Sequence, residues 1–334
     1  MRPLVSIIID NYNYAKFLPA AIESAINQSY SPIEILVVDD GSTDESREII
    51  SRYQSSIIPI LKRNGGNNSA TNAGVKHSCG KIICFLDADD FYYPNKVTRI
   101  VEVFEKERDD KKPMLVYHLL EIWDESSKKK TGEFKGGIHS SPYNLYDHAK
   151  RYQFIPFETG PTSSISINRA LADLLFPLPE HPRKLWADGF IVLGASLVGE
   201  LHSLNSSLGG YRVHGANLWF NSDRMEAYES MEILGGYLNE KLTANNRLPV
   251  ISFRHSMYSW GHLAKEKHWL TLSGHIVRLL VVQRDKLTVK FIYDTIKLIF
   301  NNTLRKYAIC RWIAESTTAL RHGNGTQSKK LTSV

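Results

Sequence analysis

The chain has 334 residues, 43% of them hydrophobic, enough for a substantial core in one or two domains. Three cysteines (Cys79, Cys84, Cys310) form neither a dense even framework nor a CxxC pair, which argues against a disulfide scaffold and a zinc–cysteine site and predicts reduced thiols in an intracellular setting. Net charge is +6, yet residues 1–220 carry 24 basic against 26 acidic side chains and residues 221–334 carry 17 against 9, so the positive excess belongs to the C-terminal third.

The opening MRPLVSIIIDNYNY turns polar too soon for a signal peptide, and no run of about 18 apolar residues predicts a membrane-spanning helix. Leu4–Ile9 reads as a short buried strand, continuous and β-branched. Phe17, Leu18, Ala21, Ile22, Ala25 and Ile26 then recur at helical spacing. Ile33–Val38 is a second buried strand. Ser42-Thr43-Asp44-Glu45 fits a capping box for a helix whose inner face is Ile49, Ile50 and Tyr53. Ile57–Leu61 is a third strand, at an edge because Pro59 has no N–H for a ladder. A Gly/Asn-rich turn leads to a short helix near Ser69–His77, then comes the strand Lys81–Leu86. Val97, Ile100, Val101 and Phe104 mark a further helix after Pro94.

From 111 to 220 the pattern is less regular. Met114–Leu120 and Ser163–Ile167 read as strands, Glu125–Gly137 as an exposed loop or hairpin, Asp188–Val198 as a helix, and Leu208–Asn217 as a strand leaving into a loop. Helices dominate beyond 221, and the tail from His322 has a disordered composition. Repeated strand–helix alternation over the first 110 residues predicts an α/β fold, a mostly parallel sheet flanked by helices, with a helical C-terminal region. In such sheets ligands bind beyond the carboxyl ends of the strands. The polar clusters Asp10-Asn11-Tyr12-Asn13, Asp39-Asp40-Gly41-Ser42 and Asp87-Ala88-Asp89-Asp90 all follow strands, so they are expected on one rim.

Several aspartates on one rim repel one another unless a cation sits among them. Hard divalent ions such as Mg²⁺ or Mn²⁺ take oxygen ligands and share substrate phosphates. The alternative for Asp87-Ala88-Asp89 is a helix-capping turn ahead of Pro94. Asp40 suits a base or ribose, because a carboxylate accepts N–H and O–H hydrogen bonds; Asp44 suits the dipole of the next helix. Asn64–Gly74 is glycine-rich but is neither a Walker loop nor a G-x-G-x-x-G fingerprint, which disfavours an ATPase and a classical NAD enzyme. Its backbone N–H groups suit a nucleotide or simply a tight turn.

In order and spacing, SIIIDNYNYAKFLPAAIESAINQSY, IEILVVDDGSTDESREII, NGGNNSATNAG and KIICFLDADDFYYPNKV resemble an inverting glycosyltransferase of family 2 with the GT-A fold. The likeness is strong over 3–105 and weaker to about 220. It implies a nucleotide-sugar-binding half (1–110), an acceptor-binding half (111–220), then a helical region (221–320) and a tail (321–334). It implies that Asp40 meets the nucleobase, with Asp10, Tyr12 and Asn72 in the same pocket, Asp87 towards the ribose and Asp89 on Mn²⁺ or Mg²⁺. Many members carry Pro-Thr where this chain has Asp10-Asn11, and Arg where it has Thr71. In WADGF (Trp186–Phe190), Ala187 replaces the first of two acids, which leaves Asp188 as the catalytic base, with capping of the following helix as its alternative. Tyr211–Asn217 resembles a late Tyr-Arg-x-His segment in which His214 completes the metal site or meets the diphosphate and Arg212 pairs with phosphate; structural packing is the alternative for His214. Trp186 and Trp219 suit a sugar face or the core.

The implied partners are a nucleotide-sugar donor, with a UDP-sugar favoured, and a glycan or lipid-linked acceptor, not nucleic acid. The apolar and basic helices at 275–320 suit peripheral contact with the inner face of the cytoplasmic membrane; a helical cap or a dimer interface is the rival use. Two other classes compete: a nucleotidyltransferase, which lacks its lysine-bearing entry loop here, and a silent sugar-binding module, which has no need of an acid at 188.

Overall fold

Burial on both faces decides the architecture. The strands β1 (Val5–Asn11), β2 (Ile33–Asp39) and β4 (Ile82–Asp87) are almost wholly buried apolar runs, so each must be covered on two sides. The computed structural model describes residues 2–107, 109, 111–134, 143–152, 160–181, 185–215 and 224–251. Its strands are completed by β3 (Ile58–Leu61), β5 (Phe91–Tyr92), β6 (Met114–Asp124), β7 (Lys129–Phe134), β8 (Ile165–Asn168) and β9 (Glu200–Val213). They form one sheet in the order β3-β2-β1-β4-β8-β6-β9-β5, with β7 paired to β6. The β3-β2-β1-β4 half is parallel; β8 runs antiparallel to both β4 and β6, and β9 parallel to β6. Pro59 sits in the edge strand β3, where its missing N–H disrupts nothing.

Side-chain alternation sends successive residues to opposite covers. Val5, Ile7 and Ile9 share a core with Leu18, Ala21 and Ile22 of α1 (Leu18–Ile26) and with Val97, Ile100 and Val101 of α4 (Lys96–Lys106). Ile49 and Ile50 of α2 (Ser46–Arg52) join the same cluster. On the other face Ile8 meets Gly74 of α3 (Asn67–His77), and Phe85 stacks on Phe176 just after α6 (Arg169–Leu175). α7 (Ala187–Val198) carries α8 (Arg224–Ala244) on its flank: Phe190 and Tyr237 meet edge to face, and the Tyr237 hydroxyl donates to Leu175 O. α5 (Tyr146–Tyr152) closes the set among the described residues.

Several expectations change in detail. The capping box does not form. Helix α2 starts at Ser46, and the Ser42 hydroxyl instead accepts from Asn11 Nδ2 at the end of β1 and from Asn13 N just beyond it. Asp44, one residue before the N-cap Glu45, accepts from Ser46 N at the first turn and from Ala15 N. Helix α3 begins at Asn67, two residues earlier than expected, and β9 begins at Glu200 because its first residues pair with Met114 and its neighbours on β6. β5, α5 and α6 have two to seven residues, too short for periodicity to register. The exposed stretch after Asp124 is a hairpin turn between β6 and β7.

Among the described residues no helix is long and apolar enough to cross a membrane. Residues from 252 onward lie outside the described ones, and with them the helices read at 275–320 and the tail at 321–334. Trp219 is also outside them.

The contact at Gly74 is what lets α3 sit directly on β1. A Cβ there would lie 2.4 Å from Ile8 Cγ2, on a branched side chain held in the sheet. Gly74→Val is therefore expected to lower the unfolding free energy by about 2 kcal/mol, read as a lower urea midpoint at an unchanged slope.

Candidate active site

Strand register brings the acids together. Asp10 at the end of β1 lies level with Asp87 at the end of β4, and Asn11 lies level with Asp39 on β2. Like charges on neighbouring strand tips, enclosed by protein, resist ionising together. Burial pushes the Asp10 carboxyl up to about 7, while a hydrogen bond from Asp87 draws it back. Asp87 is raised well above the ordinary range, by burial first and then by Asp10, Asp90, Asp89 and Asp188. Asp90 is raised for the same two reasons, with Asp89 as its nearest adversary.

The four-residue run after β4 separates these acids by task. Asp89 accepts a 2.9 Å hydrogen bond from His214 Nε2. His214 is itself wedged against the Phe17 ring, 4.6 Å between centroids, and edge-on to Tyr14. Asp90 faces inward, where the Ser163 hydroxyl donates to one oxygen and Arg212 N to the other. That pair of bonds fixes the loop to both η1 (Thr162–Ser164, a single 3-10 turn) and β9.

Asp188 is the second residue of α7, not its N-cap, and the N-cap residue Trp186 makes no side-chain cap bond. Its carboxylate accepts from Gly189 N at 2.7 Å, and burial raises it to about 6. The start of α7 is tied to the acids by one amide: Asn67 donates to Asp10 Oδ2 at 2.6 Å and accepts from Ala187 N at 2.9 Å. Asn67, Asp90, Tyr14 and Tyr211 lie within the motifs of the sequence, but none is given a role of its own there. Both tyrosines are raised above their ordinary range by burial and by the surrounding aspartates.

Asp40 is 3% exposed and its oxygens accept from Lys62 Nζ, Gly65 N and Gly66 N, which draws the glycine loop onto the end of β2. Gly66, at φ +86°, is in a conformation that favours glycine. Tyr12 is 46% exposed at the rim. Asn72 is committed to the segment leading towards α7: it donates to Leu178 O and Glu180 Oε1 and accepts from Leu178 N. Asp39 is occupied by Arg47, Asn11 and Ser42. The rim thus gathers Asp10, Asp87, Asp89, His214 and Asp188, with Asp40 one strand away.

Oxygens of Asp87, Asp89 and Asp90 lie within 4.8 Å of one another. An all-carboxylate donor set held against its own repulsion fits a hard divalent cation. Asp90 is the least free of the three, and Asp87 and Asp89 fit the ligand role best.

The glycosyl transferase family 2 profile matches residues 6–166. The chain is 35% identical over 254 residues to an uncharacterized glycosyltransferase of Nostoc sp., covering 71% of this chain and 75% of that one. It is 39% identical over 107 residues to the Escherichia coli UDP-Glc:alpha-D-GlcNAc-diphosphoundecaprenol beta-1,3-glucosyltransferase WfaP, covering 31% and 43%. The solved structure of S. aureus TarS 1–349 in complex with UDP-GlcNAc aligns over 88% of this chain and 81% of that one, with a TM-score of 0.53 at 15% identity, a likeness of fold.

The Asp188 carboxyl carries a stability signature. Its folded pKa of about 6 lies above the unfolded value of 3.8, so the stability held by the neutral acid is complete below pH 3.8 and is lost as pH rises through about 6. Asp188→Asn escapes that loss. In chelator-treated protein the variant is expected to gain about 2 kcal/mol over wild type between pH 4 and pH 8, read by urea unfolding at both pH values.

Proposed function

The chain belongs to glycosyltransferase family 2 and has the GT-A fold, and from that premise we propose a metal-dependent, inverting transfer of a sugar from a UDP-sugar to an acceptor hydroxyl. The carrying observation is Asp188 at the start of α7, close enough to the Asp10–Asp87–Asp89 cluster to raise Asp87. Family membership sets aside the nucleotidyltransferase and the silent binding module.

In this reading Asp87 and Asp89 hold Mn²⁺ or Mg²⁺, with His214 orienting Asp89 or joining it. When bound, such a cation supplies charge neutralisation for the departing diphosphate. Asp40 and Asp10 line the nucleotide pocket, with Tyr12 at its open side. A base N–H displaces one of the loop donors now on Asp40. Asn72 serves through its grip on the 178–180 segment. Asp188 takes the proton from the acceptor hydroxyl as that oxygen bonds to the anomeric carbon and the bond to the nucleoside diphosphate breaks. One carboxylate suffices, because a single displacement inverts the centre with no covalent enzyme intermediate. A base near 6 is ionised at neutral pH yet stronger than an ordinary aspartate.

Two named relatives support the substrates. TarS is solved with UDP-GlcNAc and with UDP, and WfaP is named for UDP-Glc and a diphosphoundecaprenol-linked acceptor. For this chain we take a UDP-sugar and a glycan or lipid-linked acceptor, in assembly of a surface polysaccharide or lipopolysaccharide at the inner face of the cytoplasmic membrane.

UDP release from a panel of UDP-sugars with Mn²⁺ tests the reading. Chelation is expected to abolish release and Mn²⁺ to restore it. Asp188→Asn is expected to cut turnover by about 10²–10⁴-fold while UDP affinity, by calorimetry, stays within about twofold. Turnover surviving in Asp188→Asn removes the assigned base. Equal calorimetric affinity for UDP, GDP and dTDP removes the uridine preference.

A further inference from the structure

A concavity opens beside the acids, across β5, β6 and β9. It is an open concavity of about 310 Å³ lined by Phe91, Trp123, Asp124, Glu125, Lys128 and Arg212. Register builds it: Phe91 on β5 lies opposite Gly210 on β9, and Trp123 on β6 lies opposite Arg212, two residues further along β9. Phe91, Gly210, Arg212 and Trp123 therefore share one face of three adjacent strands. The two rings meet edge to face at 5.8 Å, and the Arg212 guanidinium lies 5.0 Å from the Phe91 centroid. Gly210 is what permits this. A Cβ there would fall 2.3 Å from the Phe91 ring and 2.7 Å from Trp123. The space is kept for aromatic surface at the expense of a side chain.

The carboxylates around the rings are paired with a cation or with their own turn. Glu125 is paired with Lys16 at 3.2 Å and lies 3.9 Å from Arg212. The Asp124 carboxylate is occupied by Ser126 and Ser127 of its own turn. Among the lining residues Lys128 and Arg212 match Asp124 and Glu125, and Lys16 beside them is held by Glu125. Apolar ring faces edged by paired polar groups suit a neutral polyol, whose ring presents C–H groups on its faces and hydroxyls on its rim. The platform adjoins the reaction centre, since Phe91 follows Asp90 in the chain and Arg212 N is bonded to Asp90.

We propose that this platform is a neutral-saccharide subsite, holding a sugar unit of the acceptor that does not itself react. The assignment rests on the glycosyltransferase reading for its role but not for its binding, so the two fail separately. The full chain, with UDP and Mn²⁺ present, is titrated with the methyl glycosides of glucose, galactose, mannose and N-acetylglucosamine and read by saturation-transfer NMR. At least one glycoside is expected to bind. Trp123→Leu is expected to weaken it at least tenfold, with UDP affinity unchanged as the check on folding. Lys128→Asn, an exposed turn change that keeps a residue suited to its φ of +51°, is expected to weaken it severalfold should Trp123→Leu not fold. Asp188→Asn is expected to leave glycoside binding intact. No binding by any glycoside, binding untouched by Trp123→Leu and Lys128→Asn, or displacement by inorganic pyrophosphate would each overturn the subsite. Loss of UDP binding in wild type would instead strike the donor reading.

Discussion

Charge crowding at the ends of two neighbouring strands is the constraint on which the rest depends. Parallel pairing of β1 with β4 leaves no freedom in where Asp10 and Asp87 sit: they are level, adjacent and enclosed. Enclosure raises both carboxyls; the charge of Asp10 raises Asp87 further, while the hydrogen bond from Asp87 draws Asp10 partly back. A sheet needs no such arrangement for stability, and natural folds retain such repulsion where it serves a site. The neighbouring elements read as responses to it. Asn67 hands a proton donor to Asp10, His214 hands one to Asp89, and Ser163 with the Arg212 backbone satisfies Asp90.

These donors come from far apart in the chain, which explains the sheet's odd order. β9 crosses back between β6 and β5, so that His214, just past its end, arrives beside a loop that belongs to β4. α7 reaches the same place from the opposite cover. Its approach is held by the polar face of α3, where Asn68, Ser69 and Asn72 grip Pro179, Glu180 and Leu178. The helix that packs bare glycine against β1 thus presents an unusually polar outer side, and both features are needed for it to link core and rim.

Much of this was legible in the sequence because it rests on short-range rules. Strand β1, helices α1 and α4 and the three polar clusters after strands all followed from periodicity and turn residues. The parts that escaped depend on partners distant in sequence. Ser42 looked like a cap because its local pattern is that of one; Asn11 and Asn13, about thirty residues earlier, take its hydroxyl instead. Asn72 belongs to the third motif, and the segment its amide holds lies more than a hundred residues on, which no local pattern announces. β5 is two residues long and exists only because β9 pairs with it. The aromatic platform was invisible for a further reason: Phe91, Gly210 and Trp123 share no motif, only a strand register.

The Asn67 amide has a thermodynamic corollary. One planar group spans Asp10 on the first strand and the backbone at the start of α7, so neither neighbour shifts without altering the other's hydrogen bond. Any molecule that favours one arrangement of Asp10 must bias the entrance of α7 by an equal free energy in return. Occupancy on the two sides of this side chain is therefore linked reciprocally, and the order in which two ligands arrive does not change the size of that linkage.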